Sequence, residues 1–175
     1  MNEPELVSGR LRSSAVLGGR EFVGDGVSAN LVHEGGNVWR LCGLRAPATN
    51  PTVTNSATAG TVTAGEHYLA VTFGIQRAGV LVYESAANPT LQAVTAAGSK
   101  KLAVASLPVS DNNDVTCRVI YLTAASGTVL YRAATVDNNT ATTADVDISD
   151  VTLTAGAAYS YGNDLIPAKP LVIDH

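Results

Sequence analysis

Period-two alternation of apolar and polar positions dominates the chain. Residues 67–73 put Leu69, Val71 and Phe73 on one side of an extended strand, and Tyr68, Ala70 and Thr72 on the other. Residues 116–123 set Cys117, Val119 and Tyr121 against Arg118, Ile120 and Leu122. Shorter runs at 61–63, 80–83, 90–95, 101–107, 128–136 and 142–148 complete the series. Between them stand turn residues: Ala64 with Gly65, Pro108, the cluster Asp111, Asn112, Asn113 and Asp114, then Ser126 with Gly127, then Asp137, Asn138 and Asn139. Short strands at spacings of roughly 8–15 residues, separated by such turns, predict an all-β sandwich or barrel. The alanine-rich pieces at 85–87 and 96–98 are too short for a helix and have no apolar period, so very little helix is expected.

The two ends read differently. Residues 1–45 hold the single tryptophan, Trp39, and pair glycines at Gly18–Gly19 and Gly35–Gly36. Short strands at 21–23, 29–32 and 38–41 would form a meander, with Asp25 and Gly26 marking its first turn. Such a meander is too small to bury its own apolar residues, so it must lean on the main domain or on another chain. Residues 46–51 (APATNP) form an extended linker. The last residues carry two prolines and end in Leu171, Val172 and Ile173, an apolar tail expected to pack on something. The expected organisation is an arm over 1–51, a sandwich over 52–155 and an extended tail over 156–175.

Composition narrows the function. Charged residues make up 15% of the chain and the net charge is −4, which argues against a partner bound through its phosphates. Hydrophobic residues at 46% argue against a disordered chain. No apolar stretch is long enough for a membrane span, and residues 1–12 lack the apolar core of a secretory signal. Cys42 and Cys117 lie far apart with no CxxC partner and are expected to be free thiols. A surface so poor in charge suits a protein whose faces are covered by partners.

Candidate chemistry is sparse. His33, His67 and His175 lie outside metal-ligand spacing of one another and of either cysteine, and His67 is expected as a partly exposed strand residue. Asp145, Asp147 and Asp150 lack the glycine and terminal glutamate of a calcium loop and read as solvated edge and turn residues that guard a sheet edge. There is no GxSxG elbow and no phosphate-binding glycine loop. No catalytic set, metal site or cofactor site is expected. Tyr121 and Tyr131 fall on neighbouring strands and would pack as a cross-strand pair. Trp39 either anchors the arm into a neighbouring surface or packs on its own sandwich.

Residues 52–153 resemble a fibronectin-III-like or immunoglobulin-like module of tailed-bacteriophage structural proteins. The resemblance rests on GTVTAGEHY at 60–68 running into LAVTF, then ESAANP at 84–89 and Leu107–Pro108. It continues through DVTCRVIYLT at 114–123, DNNTAT at 137–142, Asp145 and the close from Asp150 to Leu153. Leu122 stands where the family commonly has arginine. FVGDG at 22–26 through CGLRAP at 42–47 resembles the last strands of a propeller-like segment that often precedes the module. The resemblance implies an immunoglobulin/fibronectin-III-like antiparallel β-sandwich with extended N- and C-terminal arms. The implied role is non-enzymatic and structural, in capsid decoration or at the head–tail neck, in a virion assembled in the host cytoplasm. Partners would be further copies of the chain and other phage structural proteins, with neither nucleic acid nor membrane. Trp39 and Leu41 in the arm, and Leu171, Val172 and Ile173 in the tail, are the expected interface anchors. The rival reading is a tail- or fibre-associated module that binds a carbohydrate or receptor; an enzyme is not expected.

Overall fold

The computed structural model describes residues 13–17, 19–24, 30–33 and 39–160. Its regular structure is antiparallel strand, with one five-residue helix. The chain divides into two compact units, with the boundary between Leu44 and Arg45.

The larger unit contains β5 (Thr52–Val62), β6 (Gly65–Arg77), β7 (Val80–Glu84), β8 (Gln92–Ala96), β9 (Lys100–Ala105), β10 (Cys117–Thr123), β11 (Leu130–Val136), β12 (Ala144–Val146) and α1 (Asp150–Thr154). They form two sheets. One runs β11-β10-β6-β7, with β8 also beside β6, and the other runs β12-β9-β5. Leu69, Val71, Ile120 and Leu122 of the first sheet meet Val53, Val62, Leu102, Val104 and Val146 of the second in one core. Alternation explains this layering, because period-two positions fall on one face of a strand. β10 lies between two neighbours, and all seven of its residues are buried. Its other face, with Cys117, Val119 and Tyr121, joins Ala70 in a second cluster covered by Leu81, Ala87, Leu130 and Tyr159.

β6 outruns each of its partners. β8 pairs with residues 65–69 and β7 with residues 74–77, so the β6 edge around Val71 and Phe73 has no strand beside it. The ESAANP segment fills that gap. The backbone N–H groups of Val71 and Phe73 donate to Asn88 Oδ1 (2.6 Å) and Ser85 Oγ (2.9 Å). Their carbonyls accept from the N–H groups of Asn88 (3.1 Å) and Ser85 (2.8 Å). Two polar side chains thus stand in for a missing strand, as buried backbone groups require. β7 itself returns through a two-residue turn in which Ala78 and Gly79 both have positive φ (50° and 78°), the twist that suits a tight hairpin.

The smaller unit is a four-stranded meander, β1 (Ser13–Leu17), β2 (Arg20–Gly24), β3 (Leu31–His33) and β4 (Trp39–Leu41), paired in chain order. Gly19 turns β1 into β2 with φ 75°.

Candidate functional site

The pairing of the meander fixes which of its side chains share a face. Val16, Glu21, Val23, Leu31, His33, Trp39 and Leu41 fall on one side, and Ala15, Leu17, Phe22 and Val32 on the other. Both sides thus carry apolar residues, mixed with Ser14 and Glu21 on the first and with Ser13, Arg20 and Arg40 on the second. Val23 and Leu31 are buried, Leu41 is half-buried opposite Leu31, and Trp39 keeps 38% of its surface exposed. The Trp39 indole stacks on the His33 ring at 4.6 Å and 22°. Val16 and Leu17 are 70% and 64% exposed. These two apolar residues belong to β1, a strand the sequence reading did not place; their signal was the run Ala15-Val16-Leu17 before a glycine pair. The tail anchors Leu171, Val172 and Ile173 lie outside the described residues.

In the larger unit the outer face of β10 carries a polar cluster. Glu84 Oε1 accepts from Thr72 Oγ1 (2.5 Å) and from the Tyr121 hydroxyl (2.8 Å). Tyr159 meets Tyr121 edge-on at 5.0 Å, and its hydroxyl accepts from the Ala87 N–H (3.0 Å). Burial and then the Glu84 carboxylate push the Tyr121 phenol up from its ordinary value. The expected Tyr121–Tyr131 pair does not form. Tyr131 lies opposite Leu122 and faces the inter-sheet core, because adjacent residues of a strand point to opposite faces. Both cysteines are free thiols. Burial raises Cys42, and burial with the nearby Asp137 carboxylate pushes Cys117 up to about 11.

Three polar side chains depart from expectation. His67 is fully buried rather than partly exposed: Nδ1 lies 2.7 Å from the Thr123 carbonyl and Nε2 2.8 Å from that of Thr63. The ring bridges the β5–β6 connection to the end of β10, a geometry only the folded pairing creates. Asp147 and Asp150 are fasteners rather than merely solvated groups. Asp147 Oδ1 accepts from the Thr61 N–H (2.7 Å) and hydroxyl (2.9 Å), and these bonds hold its carboxyl below the usual range. Asp150 Oδ2 accepts from the Ala125 N–H (2.9 Å). Asp145 is exposed, as expected.

Arg118 was visible in the alternation on the Ile120–Leu122 face, but not as a group of interest. It is fully buried, its Nη2 donates to the Ala141 carbonyl, and its Nε and Nη1 have no hydrogen-bond acceptor. Burial lowers its guanidinium from the ordinary value.

Among the described residues, no three His, Cys, Asp or Glu side chains gather as metal ligands, and no helix is long and apolar enough to cross a membrane. No family model matches the chain, and neither a curated protein nor a solved structure matches it.

Proposed function

We propose that this chain is a non-enzymatic structural component of a bacteriophage particle, a capsid-decoration or head–tail neck protein present in many copies. The observation that carries the reading is the meander, with apolar residues on both of its faces and Val16, Leu17 and Trp39 still exposed. Single exposed apolar residues are ordinary; here Val16 and Trp39 are exposed on one face of a small sheet and Leu17 on the other, so each face offers apolar contact. In this reading Trp39 and Leu41, and in the tail Leu171, Val172 and Ile173, seat the chain against copies of itself and other particle proteins. The larger unit is then a rigid spacer.

The finer fold, an immunoglobulin/fibronectin-III-like module, belongs to the same proposal. Its support is the pairing: β10 between β6 and β11, as in a C-F-G sheet, and β5 beside β9, as B stands beside E. β8 beside β6 and β12 beside β9 are additions to that plan. The phage motifs also fall on structural devices, since ESAANP completes the β6 edge.

The test is assembly. Deleting residues 1–45, or the substitution Trp39→Ala, should leave the larger unit folded and reduce incorporation into particles, read by quantitative mass spectrometry of purified virions. Incorporation equal to the full chain's would reject the role of the meander. The partly exposed Trp39–His33 stack favours a second reading, a carbohydrate- or receptor-binding module. Trp39-dependent binding to host-surface glycans, with incorporation unchanged, would select it.

A further inference from the structure

His67 sits at the end of the larger unit where β5 turns into β6 and β10 runs out. It lies opposite Val94 of β8, on the core-facing side of β6, and none of its surface is open to solvent. The turn beside it is tightly packed: a Cβ on Gly65 would lie 2.8 Å from that of Ala125. The Thr123 hydroxyl accepts from the Tyr68 N–H (3.0 Å), and the carbonyl of the same threonine meets the ring.

Both ring nitrogens face backbone carbonyls, Nδ1 that of Thr123 at 2.7 Å and Nε2 that of Thr63 at 2.8 Å. A carbonyl oxygen only accepts. A neutral imidazole has one N–H and one bare lone pair, so it satisfies one of these contacts and sets lone pair against lone pair at the other. At these distances no water fits between the atoms. A ring with a hydrogen on each nitrogen satisfies both carbonyls. Such a ring is a cation, and a buried cation calls for a counter-charge. Asp150 carries one. Its N–H donates to the Thr63 hydroxyl (3.0 Å) and its Oδ2 accepts from the Ala125 N–H (2.9 Å), so it is tied to the same two segments that hold the ring. Its Oδ1 is buried without a hydrogen-bond partner. The other charged groups on the surrounding elements are turned away or already engaged. Glu66 falls on the opposite face of β6 by alternation. Asp147 accepts from Thr61 and lies 3.8 Å from Lys101, and Lys100 Nζ donates to the Ala57 carbonyl.

We propose that His67 is held as an imidazolium, a buried proton clasp that fastens the β5–β6 turn to the end of β10, with the Asp150 carboxylate as its counter-charge. Losing either ring proton would set a bare nitrogen against a carbonyl and undo one side of the clasp. The folded chain thus keeps a proton that an exposed histidine gives up above about pH 6.5. The stability the clasp adds is fully present below that pH and declines as the proton is lost at higher pH. The proposal is independent of the particle role, since it concerns a single chain.

The experiment is nitrogen–proton correlation NMR of the full chain with isotope-labelled histidine, at about pH 7.5, one unit above the ordinary value for histidine. His67 is identified by its contacts with Thr63 and Thr123. The expected result is a hydrogen on both of its ring nitrogens, where an exposed histidine carries one. Unfolding the chain in unbuffered urea at that pH should release about one proton. The release should vanish in His67→Gln, whose amide cannot put a donor on both carbonyls. One bare ring nitrogen on His67, or a proton release unchanged in His67→Gln, overturns the proposal. If His67→Gln does not fold, the count of ring hydrogens on the natural chain decides alone.

Discussion

Asn88 shows how much one side chain can carry in a fold with few charges. Its Oδ1 accepts from the buried Val71 N–H, and its Nδ2 donates to Asn50 Oδ1 (2.9 Å) and to the Thr90 carbonyl. Removing an acceptor strands the donor, and a stranded buried donor costs about 1–3 kcal/mol. Asn88→Ala should therefore lower stability by about that amount in urea unfolding, whereas an unchanged midpoint would mean that water reaches Val71. Cys117 gives a prediction in pH. Its thiol rises from 9.0 to about 11, so the folded chain holds that proton more tightly than the unfolded chain does. The stability this contributes is present below about pH 9 and is lost as pH rises through about 11. The Tyr121 phenol, also raised by burial, acts in the same direction at higher pH. The urea midpoint should fall between pH 8 and pH 11, and fall less in Cys117→Ala; a flat profile would contradict the burial of the thiol. Some of this residue-scale detail was legible beforehand. Alternation already put Arg118 with Ile120 and Leu122, on the face that proves to be the core. The roles of Asn88 and His67 were not legible, because each depends on a backbone group that distant pairing brings within reach.

Elements were legible in proportion to how evenly their faces are buried. β6 and β10 alternate along their length, and both faces of β10 find partners, so their sequences announce them. β5 was visible only in its last residues. Apart from Val53, which reaches the core, its earlier part is Thr, Asn, Ser and Ala on an exposed sheet edge, and one buried residue is too few to show a period. Asn55 holds that strand toward β8 instead, donating to the Thr95 carbonyl (2.9 Å) and accepting from the Ala97 N–H (2.8 Å). α1 is too short for a helical period, and Ser149 caps it by accepting from the Thr152 N–H (3.4 Å). What the helix achieves is the placement of one residue: Leu153 is fully buried in the inter-sheet core. Leu153→Ala should cost about 2–5 kcal/mol, the range for a buried leucine truncated where neighbours only partly collapse. Val151→Ala, on the exposed side of the same helix, should change little. Equal effects at the two positions, measured by urea unfolding, would show that the helix acts through its backbone rather than through Leu153.

At the scale of the molecule, the two units differ in how much they can bury. The larger one closes a core drawn from both of its sheets and a second cluster over β10, with strands as long as thirteen residues. The meander has strands of three to five residues, and among the described residues its buried apolar side chains are Val23 and Leu31, with Cys42 and Leu44 beyond its last strand. Ordering a residue costs about 1–2 kcal/mol of backbone entropy, while apolar burial returns about 25 cal/mol per Å². A sheet that leaves Val16 and Leu17 in water forgoes part of that return. The two units should therefore behave differently when separated. Residues 45–160 alone should give a β-type circular dichroism spectrum and a single cooperative unfolding transition. Residues 1–44 alone should show neither dispersed amide resonances nor a transition. Should the fragment 45–160 prove unfolded, the larger unit would depend on the rest of the chain, and the assembly experiment would need point substitutions such as Trp39→Ala in place of the deletion. Should residues 1–44 fold alone, the meander would have no energetic need of a covering partner, and the main support for its role as an anchor in a particle would be gone.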